Sequence, residues 1–327
     1  MPKVLITTVP FGDKNSLPLE LMDNAGIEYI INPHNKKLTE DQLAELVTDF
    51  DVIIAGTEPI TDKVMSRASN LKFISRVGIG LDSVDLIAAK KRGIKVSYTP
   101  DAPAPAVAEL TLGMMLTLLR SVHVSNAQMH KGEWQRIFGR RLAEVTVGVI
   151  GVGRIGGRVL RRTKPFGTPK LLVNDIMPDY KMNPELKLEW VTKEQIYKEA
   201  DIICLHLPLT KLTKNMVRKE QLLTMKKDAI IINPSRGGII NEQDLYDVMM
   251  DGHLSGAAID VFEKEPYDGN LAKIDRCLLT AHMGSMSIDC RTRMEIEATE
   301  EAVRFLTGKP LVGEVPQAEY DVQSEGL

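Results

Sequence analysis

The sequence predicts an α/β fold with two parallel sheets, and three observations support this prediction. Short apolar runs recur along the 327 residues, and each is followed by a polar or glycine-containing turn and then a helical pattern. The runs are apolar on both faces, which is typical of parallel strands covered by helices. They also fall into two groups, separated by prolines and a long helical stretch. This alternation of strands and helices indicates an α/β architecture with two domains.

The predicted strands lie on either side of a boundary placed near residue 100. The first group comprises residues 4–6, 52–55, 73–77 and 94–96. The second group comprises residues 145–150, 171–173, 202–205, 229–232, 257–259 and 278–279. Helices are predicted over residues 40–48, 107–123, 158–162 and 242–250, and the prolines before residue 107 are compatible with a helix start. The Met and Leu stripe of residues 107–123 favours core packing, with a subunit contact as the alternative.

Composition excludes several classes of protein. The 41 basic and 44 acidic residues leave a net charge of −3, so nucleic acid is not the expected partner. Cys204, Cys277 and Cys290 are far apart and form no C-x-x-C pair, so neither a disulfide framework nor a metal site is expected. The N-terminus has no signal-peptide pattern, and no apolar run approaches the length of a membrane span. We therefore expect a soluble cytoplasmic protein without a membrane partner.

Polar or glycine residues follow many of the predicted strands directly. Because ligands bind outside the carboxyl ends of strands in open parallel sheets, these residues predict one shared crevice. An alternative is that strand ends are simply where polar residues occur. The residues are Gly78, Asp175, His206, Arg236, Asp260 and His282.

A glycine motif connects the strand at 145–150 to the next helix. Gly151, Gly153 and Gly156 form G-x-G-x-x-G, in which the glycines allow a tight turn, a close approach of pyrophosphate and close helix packing. The helix N-terminus offers free amides to phosphate. Asp175 ends the next strand, 19 residues after Gly156, where a carboxylate binds a ribose and repels a 2′-phosphate. The motif predicts NAD rather than NADP as the cofactor.

Three later segments, together with the glycine motif, resemble the D-isomer-specific 2-hydroxyacid dehydrogenase family. They are Asn-Pro-Ser-Arg-Gly-Gly at 233–238, Asp-Val-Phe-Glu-Lys-Glu-Pro at 260–266 and Thr-Ala-His-Met-Gly-Ser at 280–285. Residues 76–82, 107–110 and 206–210 are similar to further loops and a helix of that family. Within the family, the chain is most similar to the phosphoglycerate dehydrogenases.

The resemblance implies two doubly wound parallel-sheet domains with a cleft between them. A flavodoxin-like substrate domain would comprise residues 1–100 plus 290–327, and a Rossmann NAD-binding domain, residues 101–289, would be inserted into it. The resemblance also implies a homodimer through the helix at 107–123.

The chemistry of a 2-oxo acid reduction suits the residues of these segments. His282 is the expected proton donor, and Glu265 would pair with it and fix its orientation. Arg236 offers a planar fork to the substrate carboxylate. We expect Arg76 and the backbone amides of Val77 and Gly78 to contribute to substrate binding.

The cofactor-binding residues are predicted in the same way. His206 is expected to be structural or merely near the cofactor. By resemblance, Asp260 contacts the nicotinamide amide. The predicted cofactor-binding set is Gly151, Gly153, Arg154, Ile155, Gly156, Asp175, Leu207, Pro208, Pro234, Ser235, Asp260 and Gly284.

Two departures from the family pattern concern the substrate. Ala281 stands where family members commonly have proline, and Glu58 stands in a loop where phosphoglycerate dehydrogenases usually place a basic residue. Glu58 is expected to repel a phosphate, unless Arg76, Arg140 or Arg141 compensates.

The leading hypothesis is an NAD-dependent D-2-hydroxyacid dehydrogenase, with 3-phosphoglycerate as the first substrate candidate. A glyoxylate or hydroxypyruvate reductase, or a reductase of another small 2-oxo acid, is the alternative. An NAD(H)-sensing binding protein, and an enzyme of the same fold that oxidises formate or phosphite with the same cofactor, are further possibilities.

Overall fold

The computed structural model describes residues 2–167 and 169–325. Its chain divides into two compact units. The first unit contains the described residues up to Pro103 and from Met286 onward, and the second is Ala104–Ser285. Residue 1 and residues 326–327 of the predicted substrate domain, and residue 168 of the predicted NAD domain, lie outside the described residues.

Strands and helices alternate along most of the chain. The strands are β1 (Lys3–Ile6), β2 (Glu28–Ile31), β3 (Val52–Ala55), β4 (Phe73–Arg76), β5 (Lys95–Tyr98), β6 (Thr146–Ile150), β7 (Lys170–Asn174), β8 (Glu189–Trp190), β9 (Ile202–Leu205), β10 (Ile230–Asn233), β11 (Gly256–Ile259) and β12 (Cys277–Leu279). The α-helices are α1 (Leu17–Asn24), α2 (Glu40–Leu46), α3 (Asp62–Arg67), α4 (Leu86–Lys91), α5 (Ala104–Leu119), α6 (Val122–His130), α7 (Arg154–Thr163), α8 (Asn183–Leu186), α9 (Lys193–Glu199), α10 (Lys219–Thr224), α11 (Glu242–Met250), α12 (Ile288–Leu306) and α13 (Gln317–Glu325).

The first unit is built on a parallel sheet with the strand order β2-β1-β3-β4-β5. This is the doubly wound order of flavodoxin-like sheets. The predicted strands correspond to β1, β3, β4 and β5, of which β3 and β4 are buried at every position. Strand β2 was not among the predicted strands. Its residues 29–31 are apolar, but this edge strand alternates between exposed and half-buried positions.

The second unit is built on a parallel sheet with the order β12-β11-β10-β9-β6-β7-β8. The chain proceeds from β6 to β7 and β8 on one side and then returns to β9 on the other. In such sheets the ligand crevice lies where the order reverses, outside the carboxyl ends of the strands. Here that point is between β6 and β9. Both sheets confirm the predicted fold class, and only the two-residue edge strand β8 was missed in this unit.

The long helix predicted over 107–123 is wrong in its C-terminal part. Helix α5 ends at Leu119, and α6 starts at Val122 in a new direction, bent by 66°. Ser121 between them has a φ of 48°, a left-handed conformation that cannot continue a helix. Nine of the 16 residues of α5 are buried, and the helix packs against α7, so core packing accounts for its Met and Leu stripe.

Among the described residues, no single helix is both long and apolar enough to cross a membrane. The bent pair of α5 and α6 reaches that length and composition only when the two helices are taken together.

Candidate active site

The glycine motif forms the turn between β6 and α7. A Cβ atom on Gly156 would lie 2.0 Å from the carbonyl oxygen of Gly151, so this glycine is required for the close packing of helix and strand. Gly151 has a φ of +93°, and a Cβ there would lie 2.2 Å from the carbonyl oxygen of His206. A Cβ on Gly153, by contrast, would meet nothing within 4 Å. Gly153 therefore leaves an open cradle at the helix N-terminus, which fits the pyrophosphate of a dinucleotide.

Asp175 lies beside this cradle, as the position of the motif predicts. One carboxylate oxygen accepts a hydrogen bond from the Val152 N–H (2.6 Å) and the other from the Met177 N–H (2.8 Å). These bonds fix the carboxylate at the carboxyl end of β7, next to β6. Arg154 is exposed and Ile155 is partly exposed in the first turn of α7.

His206 follows β9 and closes the other side of the glycine turn. Both nitrogen atoms of its ring are buried and have no hydrogen-bond partner among the described residues, although the residue as a whole is partly exposed. Burial lowers the pKa of His206 to about 3, so the imidazole is neutral at physiological pH. The side chain of Leu207 also borders Gly151. His206 therefore has a packing role next to the cofactor cradle.

Arg236 is held at the carboxyl end of β10 by its own loop. Asn233, the last residue of β10, donates from its side chain to the carbonyl oxygen of Arg236 (2.8 Å) and accepts from the Ser235 hydroxyl (2.8 Å). The Arg236 guanidinium is half-buried and donates to the Ser235 carbonyl (2.6 Å). Pro234 and Ser235 are buried in this loop. The loop places a planar cation at the same edge as the cradle.

His282 and Glu265 form a hydrogen-bonded pair at this edge. The Nδ1 atom of His282 lies 3.1 and 3.0 Å from the two carboxylate oxygens of Glu265. Because a carboxylate only accepts, Nδ1 must carry the proton. Glu265 also accepts from the Phe262 N–H (3.1 Å), which fixes its side chain. The exposed fractions are 40% for the His282 side chain and 27% for Glu265. The pair leaves Nε2 available to exchange a proton with a ligand.

Asp260 holds the loop that carries His282. The carboxylate is fully buried and accepts from the Thr280 hydroxyl (2.5 Å) and the N–H groups of Met283 and Gly284 (2.9 Å each). Burial raises the pKa of Asp260, and these hydrogen bonds oppose that effect. His282 itself has a φ of 50°, and its N–H donates to the Asp260 carbonyl (2.8 Å). The resemblance assigned Asp260 to the nicotinamide amide, whereas in the structure both oxygens serve the loop.

The substrate residues predicted in the first unit are largely committed to internal contacts. The Val77 N–H donates to the Ala55 carbonyl (2.9 Å), and the Gly78 N–H donates to the Thr99 hydroxyl (2.8 Å). Both amide protons therefore have internal acceptors in this structure, and their binding of a substrate carboxylate stays a prediction. Arg76 is also buried, and its guanidinium donates to the Val77 carbonyl.

Glu58 differs from its sequence interpretation as well. Only 2% of the residue is exposed, and its carboxylate accepts from the Thr7 hydroxyl and from the Gly56 N–H (2.8 Å). Glu58 therefore links the carboxyl ends of β1 and β3 inside the unit.

The two arginines at 140 and 141, which were considered as phosphate ligands, form ion pairs in the second unit. Arg140 pairs with Asp201 (3.1 Å), and Arg141 pairs with Glu144 (2.7 Å). Asp201 in turn accepts from the N–H of Thr146, the first residue of β6. Both arginines therefore lie at the amino edge of the second sheet, opposite the cradle.

Comparison with known proteins is consistent with this site. Residues 112–284 match the family model of the D-isomer specific 2-hydroxyacid dehydrogenase, NAD binding domain. A hydroxypyruvate reductase of Thermotoga maritima is 33% identical over 297 residues, which cover 87% of this chain and 96% of that protein. A D-3-phosphoglycerate dehydrogenase of Methanocaldococcus jannaschii is 38% identical over 278 residues, which cover 83% of this chain and 53% of that protein.

A solved structure shares the whole architecture. The D-lactate dehydrogenase of Aquifex aeolicus, crystallised with NAD and lactic acid, superposes with a TM-score of 0.83 at 26% identity, covering 93% of this chain and 96% of that one. These findings confirm the predicted family, the NAD cofactor and the oxidoreductase class. The alternative of an NAD(H)-sensing binding protein receives no support from them.

Proposed function

The chain belongs to the D-isomer specific 2-hydroxyacid dehydrogenase family, and on that premise we propose that it interconverts a small D-2-hydroxy acid and its 2-oxo acid. The observation that carries this proposal is the His282–Glu265 pair, at the same sheet edge as the open cradle at Gly153. A proton donor and a dinucleotide site on one edge are what the reduction of a carbonyl needs.

Four parts of the second unit would have separate roles in the reduction of the 2-oxo acid. NADH, when bound at Gly151–Gly156 and Asp175, supplies the hydride. His282 delivers the proton from Nε2 to the oxygen of the substrate carbonyl. Glu265 holds the ring by Nδ1 and stabilises the imidazolium. Arg236 binds the substrate carboxylate with its planar fork.

For the substrate, we favour an unphosphorylated acid such as hydroxypyruvate or glyoxylate. Arg140 and Arg141 form ion pairs at the amino edge of the second sheet, and Arg76 is buried in the first unit. These internal contacts support the choice of an acid without a phosphate. The similarity to the Thermotoga maritima hydroxypyruvate reductase over 96% of its length supports the same choice. Phosphohydroxypyruvate is the second candidate, favoured by the 38% identity to the D-3-phosphoglycerate dehydrogenase of Methanocaldococcus jannaschii.

A panel of 2-oxo acids tests the proposal. NADH oxidation is followed with hydroxypyruvate, glyoxylate, pyruvate, phosphohydroxypyruvate and a bulkier acid. We expect the highest kcat/KM with an unphosphorylated small acid. A preference for phosphohydroxypyruvate would reject our substrate choice but keep the reaction class, whereas no turnover with any acid would reject the proposed function.

The homodimer remains a proposal. Because α5 is mostly buried within the second unit, only its half-buried and exposed positions are available for a subunit contact. Light scattering of the purified protein tests it, with twice the chain mass of 36.3 kDa expected.

A further inference from the structure

The loop that carries Glu265 is held by a residue that the sequence analysis did not single out. Glu242 is the first residue of α11, and its Oε1 accepts a hydrogen bond from the backbone N–H of Glu263 (2.7 Å). Glu263 lies two residues before Glu265 in the loop after β11. The bond therefore connects α11 directly to the backbone that positions the partner of His282.

The same loop packs against the segment that leads into α11. A Cβ on Gly237 would lie 2.0 Å from the carbonyl carbon of Phe262 and 2.6 Å from the nitrogen of Glu263. Gly237 directly follows Arg236, and residues 237–241 connect Arg236 to Glu242. One stretch of chain thus carries Arg236, contacts the Glu265 loop at Gly237 and bonds to it again at Glu242.

Capping of α11 does not account for Glu242. Asn241 already caps α11, since its side chain accepts from the Asp244 N–H (2.9 Å). The first turn of a helix favours a carboxylate, but the surroundings of this one oppose its charge. Burial and the nearby carboxylates of Glu263 and Glu265 raise the pKa of Glu242, against the opposing effect of the Glu263 N–H bond. The bond from the Glu263 N–H is thus the contact that offsets the cost of holding this anion half-buried beside two others.

We propose that Glu242 is a positioning residue, which sets the Glu265 loop relative to Arg236 and thereby aligns the His282–Glu265 pair. Glu242 touches neither His282 nor a ligand in this account, and acts only through the Glu263 N–H. The inference rests on the proposed function of the pair. Two substitutions separate the acceptor from the side-chain bulk: Glu242→Gln keeps an oxygen acceptor, and Glu242→Leu removes it.

Kinetics of hydroxypyruvate reduction give the first test. We expect Glu242→Leu to lower kcat about tenfold, because a small displacement of a catalytic group is costly, and to leave KM for NADH within about twofold of wild type. Glu242→Gln should recover most of kcat. Gln243→Ala is the matched control, since the Gln243 side chain bonds to Asp247 on the same helix (2.8 Å). A wild-type kcat in the Leu variant, or an equal loss in the Gln variant, would overturn the inference.

A spectroscopic test does not depend on turnover. The test is proton NMR at low temperature on protein with labelled histidines. The Nδ1 proton of His282, which is held by Glu265, should give a low-field resonance, and the loss of this resonance in His282→Ala identifies it. We expect this resonance in wild type and Glu242→Gln, and a shifted or broadened one in Glu242→Leu. An unchanged resonance in the Leu variant would refute the positioning role, even if no 2-oxo acid is reduced and the proposed function itself fails.

Discussion

The two sheets end in carboxyl edges of the same kind, but their polar groups are used differently. In the first unit, Glu58 and Arg76 are buried, and the Gly78 amide has an internal acceptor. In the second unit, the His282 side chain is 40% exposed, and Gly153 borders open space. Parallel topology brings polar residues to both edges, but burial and internal bonding decide which of them can meet a ligand. The second edge thus exposes groups that suit the proposed reaction, whereas the named groups of the first edge bond within their own unit.

Removal of His282 should give the largest effect. We expect His282→Ala to lower kcat for 2-oxo acid reduction by about a thousandfold, since a positioned general acid contributes roughly 10²–10⁴-fold. Because the side chain is 40% exposed, the melting temperature should stay within about 2 °C of wild type. Stopped-flow and steady-state measurement of NADH absorbance checks the rate. The exposed His34 of the first unit provides the control, and His34→Ala should retain full activity. A His282→Ala rate within tenfold of wild type would contradict the assignment.

Alanine substitutions at two glycines of the motif should affect different quantities, NADH binding at Gly153 and stability at Gly156. At Gly153 a methyl group has room and its φ of −74° is unstrained, so Gly153→Ala should leave stability unchanged and weaken NADH binding about tenfold or more. At Gly156 the same change places Cβ 2.0 Å from a carbonyl oxygen and should destabilise the protein by about 1–3 kcal/mol or more. Urea unfolding and fluorescence titration with NADH measure the two quantities. Equal behaviour of the two variants would mean that Gly153 does not border the pyrophosphate.

Substitution of Glu58 tests whether this buried carboxylate stabilises the first unit without affecting substrate choice. Glu58→Ala removes the shorter of the two hydrogen bonds of the buried Gly56 N–H and leaves only the Thr7 hydroxyl (3.2 Å) as its acceptor, so it should lower the free energy of unfolding by about 1 kcal/mol. The kcat of the folded enzyme should stay within about twofold, as should the ratio of kcat/KM for phosphohydroxypyruvate and hydroxypyruvate. Glu45→Ala, at an exposed site in the same unit, should change none of these. A tenfold rise of that ratio would restore the sequence interpretation, in which Glu58 repels phosphate.

His206 should affect the pH dependence of stability, and it contrasts with His282 within the second unit. Its folded-state pKa of about 3 lies below the ordinary value of 6.5. Its neutral form therefore stabilises the fold fully above pH 6.5, and this contribution falls as the pH drops from 6.5 toward 3, by up to about 1.4 kcal/mol per pH unit.

Urea unfolding of wild type and His206→Leu between pH 7 and 5 measures this slope. The substituted protein should lose less stability across that range than wild type does, and His34→Gln should behave as wild type. Parallel curves for wild type and His206→Leu would show that the imidazole is hydrated and titrates normally.

Most of the fold followed from the sequence, because buried parallel strands are largely apolar on both faces. The strands that were missed, β2 and β8, lie at sheet edges and contain exposed and half-buried residues instead of fully buried ones. The break at Ser121 was missed for another reason. The Met and Leu pattern of α5 records burial on one side, but a single left-handed residue leaves no trace in hydrophobic periodicity.

The site was predictable where a motif fixes its chemistry, as in the glycine turn and the pair of His282 with Glu265. It was not predictable where partners come from distant parts of the chain. Thr99 takes the Gly78 amide proton, Thr7 approaches Glu58, and Glu242 holds the Glu263 backbone. These contacts depend on the packing of strand ends and helix starts, which spacing along the sequence does not record.

The stereochemistry of the product tests the proposed D-2-hydroxyacid dehydrogenase reaction most directly. Hydroxypyruvate and NADH are incubated with the wild-type protein, and the hydroxy acid that forms is resolved by chiral chromatography. We expect D-glycerate alone, formed in amounts that match the NADH consumed and nearly absent with His282→Ala. L-Glycerate, or equal product from His282→Ala, would contradict this expectation.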